Sequence, residues 1–424
     1  MKKLVAMMLT GAMMVSLGGC AKEVPPATGE AVEGTENESV ATTELVPEEG
    51  AELTYWALRK DFALEAAAKF EELYGIPVTV EEVGFDSIQK LNLEGPAGNA
   101  ADVVWGSHQA ISEGYHSGMF LKINEQVETR LRDNIQESAL KAAEIEGDLY
   151  GVPLYMESIA MYYNKDLVDT PAETFEEIIE IAPTYTNQSE NKFYFNTALT
   201  GYMFYPYLSA AGFELHGANG TDNDVPGYDT PEYLEGLRNI EAIGEIIPIA
   251  SGDLRMDGAQ FVTENFAQGK TAYMLGGPWD ISTIKEGGVN YGITTLPTLG
   301  GEEAKPFAGV TMNYINSYTE YPIAAQLFAE FMTTIEMAEV LFETEGDIPV
   351  HKNGTSIESV ASNEDISVFI EQFESTVPQP AVSRMSYYWT ISDNVFSLVF
   401  DGEMTPEEAQ AKSVADYEAL VASE

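Results

Sequence analysis

Four tryptophans and sixty-nine aspartates and glutamates carry most of the chemistry open to this 424-residue chain, against four histidines and one cysteine. One tryptophan is delivered by the stretch Phe266-Ala-Gln-Gly-Lys-Thr-Ala-Tyr-Met-Leu-Gly-Gly-Pro-Trp279. Val262 and Phe266 lie four apart, as on one helix face, and Gly269 falls where a left-handed C-cap is wanted. Thr271 to Leu275 then reads as a short buried strand, which Gly276, Gly277 and Pro278 stop. Trp279 is therefore expected on a loop at a strand's carboxyl end, where open α/β sheets bind ligands. A ring so placed is either a ligand platform or loop packing, and the stretch alone leaves both open. Among the carboxylates Glu157 stands out, because Tyr155-Met-Glu-Ser158 interrupts apolar sequence on both sides. It must find partners either way, as one acid of a glycosidase pair or as a paired charge in a hinge or interface.

Other motifs fail on spacing. Gln268-Gly-Lys-Thr271 resembles the tail of a phosphate loop, but Glu264 occupies the earlier glycine position. Asp222-Asn-Asp224 starts like a calcium loop, yet its fifth position is Pro226 and its twelfth is Tyr233. His108, His116, His216 and His351 are scattered without HExxH spacing and are expected at the surface or packed. No GxSxG occurs. No metal or cofactor is expected, and a catalytic carboxylate pair that includes Glu157 stays open on these residues alone.

The elements that must position Trp279 and Glu157 begin with Leu53–Trp56, a strand, and a helix carrying Phe62, Ala66, Phe70 and Leu73 that closes at Gly75. Val78 and Val80 alternate with polar residues, which completes β-α-β and predicts a parallel sheet covered by helices. Ala101–Trp105 is another buried strand, ending in the polar Gly106-Ser-His-Gln109. Thr174 with Glu177 is a capping-box pattern, and Thr230-Pro231 starts a helix with Leu234, Leu237 and Ile240 on one face. The aromatic run Thr200–Tyr207 either packs heavily or lines something. Tyr291–Pro297 and Gly309–Ile315 read as strands, and helices are expected over Ala324–Met332 and from Thr405 onward.

A chain this long exceeds one ordinary core, so two lobes are the prior. The balance 21 − 69 = −48 repels phosphate backbones and anionic lipid surfaces, so nucleic acid is not an expected partner. Met1-Lys-Lys3, an apolar run from Leu4 to Leu17, and Gly18-Gly19 fit a signal peptide over residues 1–19. Leu17-Gly-Gly-Cys20 resembles a bacterial lipobox, which implies lipidation of Cys20, the only cysteine, and an extracytoplasmic location anchored to the cell membrane. Glu23 to Glu52 holds nine glutamates and no lysine or arginine, so residues 20–52 are expected to form an acidic flexible tether.

Leu53–Val80, Ala101–Asn124, Gly147–Pro153 through Tyr163-Asn-Lys-Asp166, Phe266–Trp279, and Asn290–Thr298 with Lys305–Gly309 resemble maltose/maltodextrin-binding proteins, solute-binding subunits of ABC sugar importers. The resemblance covers nearly the whole mature chain. It implies a two-lobed α/β periplasmic-binding fold of type II, with residues 53–156 and 308–350 in the N-lobe, 157–307 and 351–424 in the C-lobe, and ligand in a hinged cleft between them. Trp279, Trp389 and Tyr202 match sugar-stacking aromatics, and Glu157 matches a cleft carboxylate. A pyranose offers one C–H face to a ring and a rim of hydroxyls to acceptors and donors. Asp61 and Gln109 fall in sugar-contacting loops, where Arg59 or Lys60 could donate. Departures are Gln109-Ala110 in place of an Asp-Arg pair, Thr200-Gly201 in place of a carboxylate before Tyr202, Asp393 in place of a basic residue, and Gly106 in place of a Trp. The implied function is non-enzymatic: capture of a maltodextrin, or another oligosaccharide, by a monomer that delivers it to membrane permease subunits. The alternatives are a secreted glycoside hydrolase using Glu157 and a binding protein for a non-sugar solute.

Overall fold

The computed structural model describes residues 45–218, 220–255, 258–380 and 382–424. The signal-peptide segment, Cys20 and most of the tether lie outside the described residues. Among the described residues thirteen strands run in chain order: β1 Leu53–Ala57, β2 Val78–Glu82, β3 Val103–Ser107, β4 Glu144–Ile145, β5 Asp148–Leu149, β6 Val152–Glu157, β7 Ala160–Asn164, β8 Phe193–Asn196, β9 Thr271–Gly276, β10 Tyr291–Thr294, β11 Phe307–Ile315, β12 Ile348–Pro349 and β13 Val377–Pro378.

The first β-α-β unit forms for the reasons its pattern gives. The helix Lys60–Tyr74 turns Phe62, Ala63, Ala66 and Phe70 to the core, each fully buried, and each phenylalanine contributes roughly 2–3 kcal/mol of transfer free energy. Gly75 ends it at φ 69°, a left-handed conformation in which its N–H reaches Glu71 O. Leu73, expected on the same face, is instead 64% exposed, while Phe70 packs on Phe328 and Phe331 of the helix Pro322–Phe331. Strand β2 returns parallel to β1 with Leu53 opposite Val78.

The sheet these strands start is mixed rather than parallel throughout. Its order is β12-β6-β11-β3-β1-β2, with β13 also on β11. The long, wholly buried β11 runs antiparallel to both β3 and β6, pairing Thr311 with Ser107 and Gly309 with Glu157. A second sheet has the order β10-β7-β9-β8, and β4 and β5 form a small separate hairpin. Only Ser158 and Ile159 separate β6 of the first sheet from β7 of the second.

The folded body begins ahead of Leu53. Glu48 accepts from the N–H groups of Ile323 (2.9 Å) and Ala324 (3.0 Å), capping a helix, Pro322–Phe331, whose first residue has no N–H to offer. Among the described residues no helix is long and apolar enough to cross a membrane.

Candidate functional site

Register decides where the site residues lie. Strands β1, β2, β3 and β6 share one direction. Their carboxyl ends therefore collect at one edge of the first sheet, and with them the start of β11 and the approach to β12. That edge carries Arg59 after β1, Gln109 after β3, Glu157 at the end of β6, Phe307 at the start of β11 and Asp347 before β12. In the second sheet Ala160 at the start of β7 pairs with Gly276 at the end of β9. Trp279 follows Gly276, and Tyr202 follows β8 in the helix Gly201–Ser209. The chain passing directly from Glu157 to Ala160 sets these two edges beside each other.

Phe307 is the hub between them. Its ring stacks on Tyr205 at 3.6 Å and meets Tyr388 edge-on at 5.8 Å, Trp389 at 6.0 Å and Tyr202 at 6.3 Å. Its carbonyl accepts from Ser158 Oγ (3.2 Å) and Tyr202 OH (3.4 Å). The aromatic run Thr200–Tyr207 packs heavily and leaves one ring partly open. Thr200 caps the helix through Met203 N, Tyr205 and Tyr207 are buried, and Tyr202 stays half-buried toward the edge. Trp389, on the helix Met385–Phe400, donates its indole N–H to Gln109 Oε1 at 2.7 Å, and Gln109 Nε2 donates to the buried Gln379. One amide so ties the end of β3 to the helix bearing Trp389.

Charge is concentrated at Glu157. Half-buried, it lies against Gly309, where an added Cβ would stand 2.5 Å from Glu157 Cγ. Among the described residues no hydrogen-bond donor reaches its carboxylate. Burial, with the negative charge of Asp347 adding to it and Arg59 opposing, pushes its pKa up to about 7. Asp347 is buried and gripped by Arg59 in a two-bond fork, Nε to Oδ2 at 2.7 Å and Nη2 to Oδ1 at 2.9 Å. Burial still raises Asp347 to about 6 against the pull of Arg59. The guanidinium also lies 5.5 Å from the centre of the Tyr155 ring. Tyr202 OH is held well above the usual phenol range by burial and by Glu157, so it remains a neutral donor.

The Trp279 turn is fixed from below. Strand β9 ends as expected, and Pro278–Asp280 forms a single 3-10 turn. Asp280, 8% exposed, accepts from Gly277 N (3.0 Å) and Thr263 Oγ1 (2.6 Å), while Tyr162 OH donates to Gly277 O at 2.7 Å. The indole, 38% exposed, folds over Gly277 so closely that a Cβ there would stand 2.3 Å from it. Glycine at 277 is needed for that approach, not for its dihedrals, since its φ is −111°.

The remaining expected residues take up other partners. Arg59 is committed to Asp347, and Lys60 pairs with Glu82 at 3.2 Å on the exposed rim. Asp61 is exposed in the first turn of its helix. His108 is buried beside Val310 and burial lowers its pKa to about 4, so it is a neutral packing residue. Sequence reasoning missed Asp347, Phe307 and Gln379. Asp347 carries no pattern of its own, whereas Phe307 and Gln379 flank strands whose pairing only the fold reveals. A cavity of about 560 Å³, lined by Glu52, Thr54, Asp102, Asn316 and Tyr318 among others, lies at the opposite end of the first sheet and contains none of these residues.

Two sheets with these edges together, aromatic rings between them and a carboxylate that no donor reaches among the described residues fit a protein of the solute-binding class. The chain belongs to the family of bacterial extracellular solute-binding proteins, whose pattern matches residues 65–367. It is 27% identical over 420 residues to the maltodextrin-binding protein MdxE of Bacillus subtilis (strain 168), covering 97% of this chain and 95% of that one. It is 28% identical over 364 residues to a maltooligosaccharide ABC transporter solute-binding lipoprotein of Streptococcus pneumoniae (strain ATCC BAA-255 / R6), covering 84% and 85%. The crystal structure of a cyclo/maltodextrin-binding protein complexed with maltotetraose superposes with a TM-score of 0.77 at 28% identity, over 87% of this chain and 97% of that one.

Proposed function

We propose that the chain is the ligand-capturing subunit of an ABC importer, taking a maltodextrin between the facing sheet edges and closing on it by hinge motion. The lobes in this reading are residues 53–156 with 308–350 and residues 157–307 with 351–424. The crossing Glu157–Ala160 serves as one hinge segment. The observation that carries the reading is Glu157: a half-buried carboxylate with no donor among the described residues, beside Tyr202, with Trp389 and Trp279 on the same two edges. That combination suits a sugar, whose C–H face lies on rings and whose hydroxyl donates to a charge. The names of the relatives supply the maltodextrin class.

In this reading Trp279, Trp389 and Tyr202 stack, Glu157 and Asp61 accept, Gln109 bridges, Lys60 donates from the rim, and Arg59 positions Asp347 and Glu157. No residue is catalytic. Asp347, the acid that acts on Glu157, is held in the Arg59 fork, so it is not the free partner that a glycosidase pair needs. The protein acts as a monomer, anchored extracytoplasmically through lipid on Cys20, and presents its cargo to permease subunits.

The test is a thermal-shift screen of oligosaccharides, because a ligand that binds only the folded state raises stability by mass action. Maltotriose and longer maltodextrins are expected to raise the melting temperature without release of reducing sugar. A shift given only by polyamines or other non-sugar solutes would replace the sugar reading.

A further inference from the structure

Phe85 is 76% exposed, and nothing derived so far uses it. A single exposed apolar side chain requires no explanation in itself, but this one is held in place. It lies between β2 and the helix Ser87–Glu94, on a loop pinned along its length. Val83 N donates to Ala57 O (3.0 Å), Trp105 Nε1 to Val83 O (2.7 Å), Ser87 N to Gly84 O (3.2 Å) and Ser87 Oγ to Trp105 O (2.8 Å). Beneath it the Trp105 ring stands edge-on, centroids 5.6 Å apart at 76°. The ring therefore rises from a pinned loop, with its one ring contact on Trp105 among the described residues and most of its surface free.

Its position adds direction. The loop follows the carboxyl end of β2 and lies over β3, at the same sheet edge as Arg59, Gln109 and Glu157. Across β11 from β3 to β6, Trp105 pairs with Asn313 and Glu157 with Gly309, so the two positions lie about 10 Å apart across the sheet and roughly 13 Å apart along it. Hydroxyl partners flank the loop: Glu82, at the end of β2, and its ion-pair partner Lys60 are each more than half exposed.

We infer that Phe85 is a further ligand-contacting ring, an apolar platform for an outer unit of oligosaccharides too long to be satisfied at Glu157, Tyr202 and Trp389 alone. This inference rests on the sugar-binding reading above. The experiment is calorimetric titration of maltose, maltotriose, maltotetraose and maltohexaose into the folded chain, the Phe85→Ala variant and the Phe85→Trp variant, with melting temperatures as a check on folding. In Phe85→Ala the Kd for maltose should stay within about twofold, while that for maltohexaose should rise roughly 3- to 10-fold, and Phe85→Trp should restore it. Equal losses at every length, or no loss with maltohexaose, would overturn the inference and leave Phe85 as a surface ring or a permease contact. Absence of binding by the unmodified chain to every oligosaccharide would instead overturn the sugar reading, and the inference with it.

Discussion

Replacing Glu157 by glutamine should make the protein more stable and a poorer binder, and the two effects should separate with pH. The carboxyl's pKa is raised from 4.5 to about 7 by burial and by Asp347. For an acid raised in the folded state, the stability contribution is fully present below the unfolded value and is lost as pH rises through the folded one. A rise from 4.5 to about 7 corresponds to about 3 kcal/mol at pH 8. Because Glu157 is only half-buried, solvent screening reduces this to about 2 kcal/mol. Glutamine keeps the shape and removes the charge. Glu157→Gln should therefore gain about 2 kcal/mol at pH 8, a rise of roughly 2 °C in melting temperature for a chain this size. At pH 4, where the carboxyl is already protonated, it should gain nothing. Oligosaccharide affinity should move the other way, because a hydrogen bond to a charged acceptor contributes about 1.5–3 kcal/mol, or roughly 10- to 100-fold in Kd. Denaturant melts across pH 4–8 and calorimetric titration at pH 8 check the two halves. A variant less stable than the parent at pH 8 would refute the claim that Glu157 lacks a protein partner.

Further outcomes follow from neighbouring contacts. Asp347→Asn should cost about 3 kcal/mol, because it leaves the Arg59 guanidinium, 24% exposed, without its fork partner; denaturant melts at pH 7.5 read this. Gly277→Ala places a Cβ 2.3 Å from the Trp279 ring, so it should displace the indole and weaken binding about tenfold with an unchanged far-UV spectrum. Thr405→Ala removes the hydroxyl that accepts from Glu408 N and caps the last helix. It should lower stability by about 1 kcal/mol and leave ligand titrations unaltered.

The first β-α-β unit, the end of β9 at the glycine pair and the Thr405 cap are legible in the sequence, because each is set by neighbours a few residues apart. Trp279 on its turn is legible for the same reason, whereas Gly277, read as a strand breaker for its dihedrals, has an ordinary φ and serves the close approach of the indole. The ion pair that organises Glu157 is not, since Arg59 and Asp347 are 288 positions apart and no local pattern links them. Phe307 lies outside the expected strand Gly309–Ile315, and only the observed β11, which starts at Phe307 and pairs with β3 and β6, brings it to the site edge. The expectation that Leu73 is buried fails because helical spacing defines a face but not how far along it the neighbouring elements reach. Arg59 and Lys60 look like ligand donors in sequence, and their pairing with Asp347 and Glu82 has no local pattern that would announce it.

The central claim is tested most directly by tryptophan fluorescence during titration with maltotetraose. Of the four tryptophans, Trp56 and Trp105 are 1% and 4% exposed, which leaves Trp279 and Trp389 as the reporters of the site. A saturable change with one-to-one stoichiometry, reduced in Trp279→Ala and again in Trp389→Ala, is the predicted result. A flat titration with this and every other oligosaccharide tried, from a protein with an intact melting transition, would contradict it.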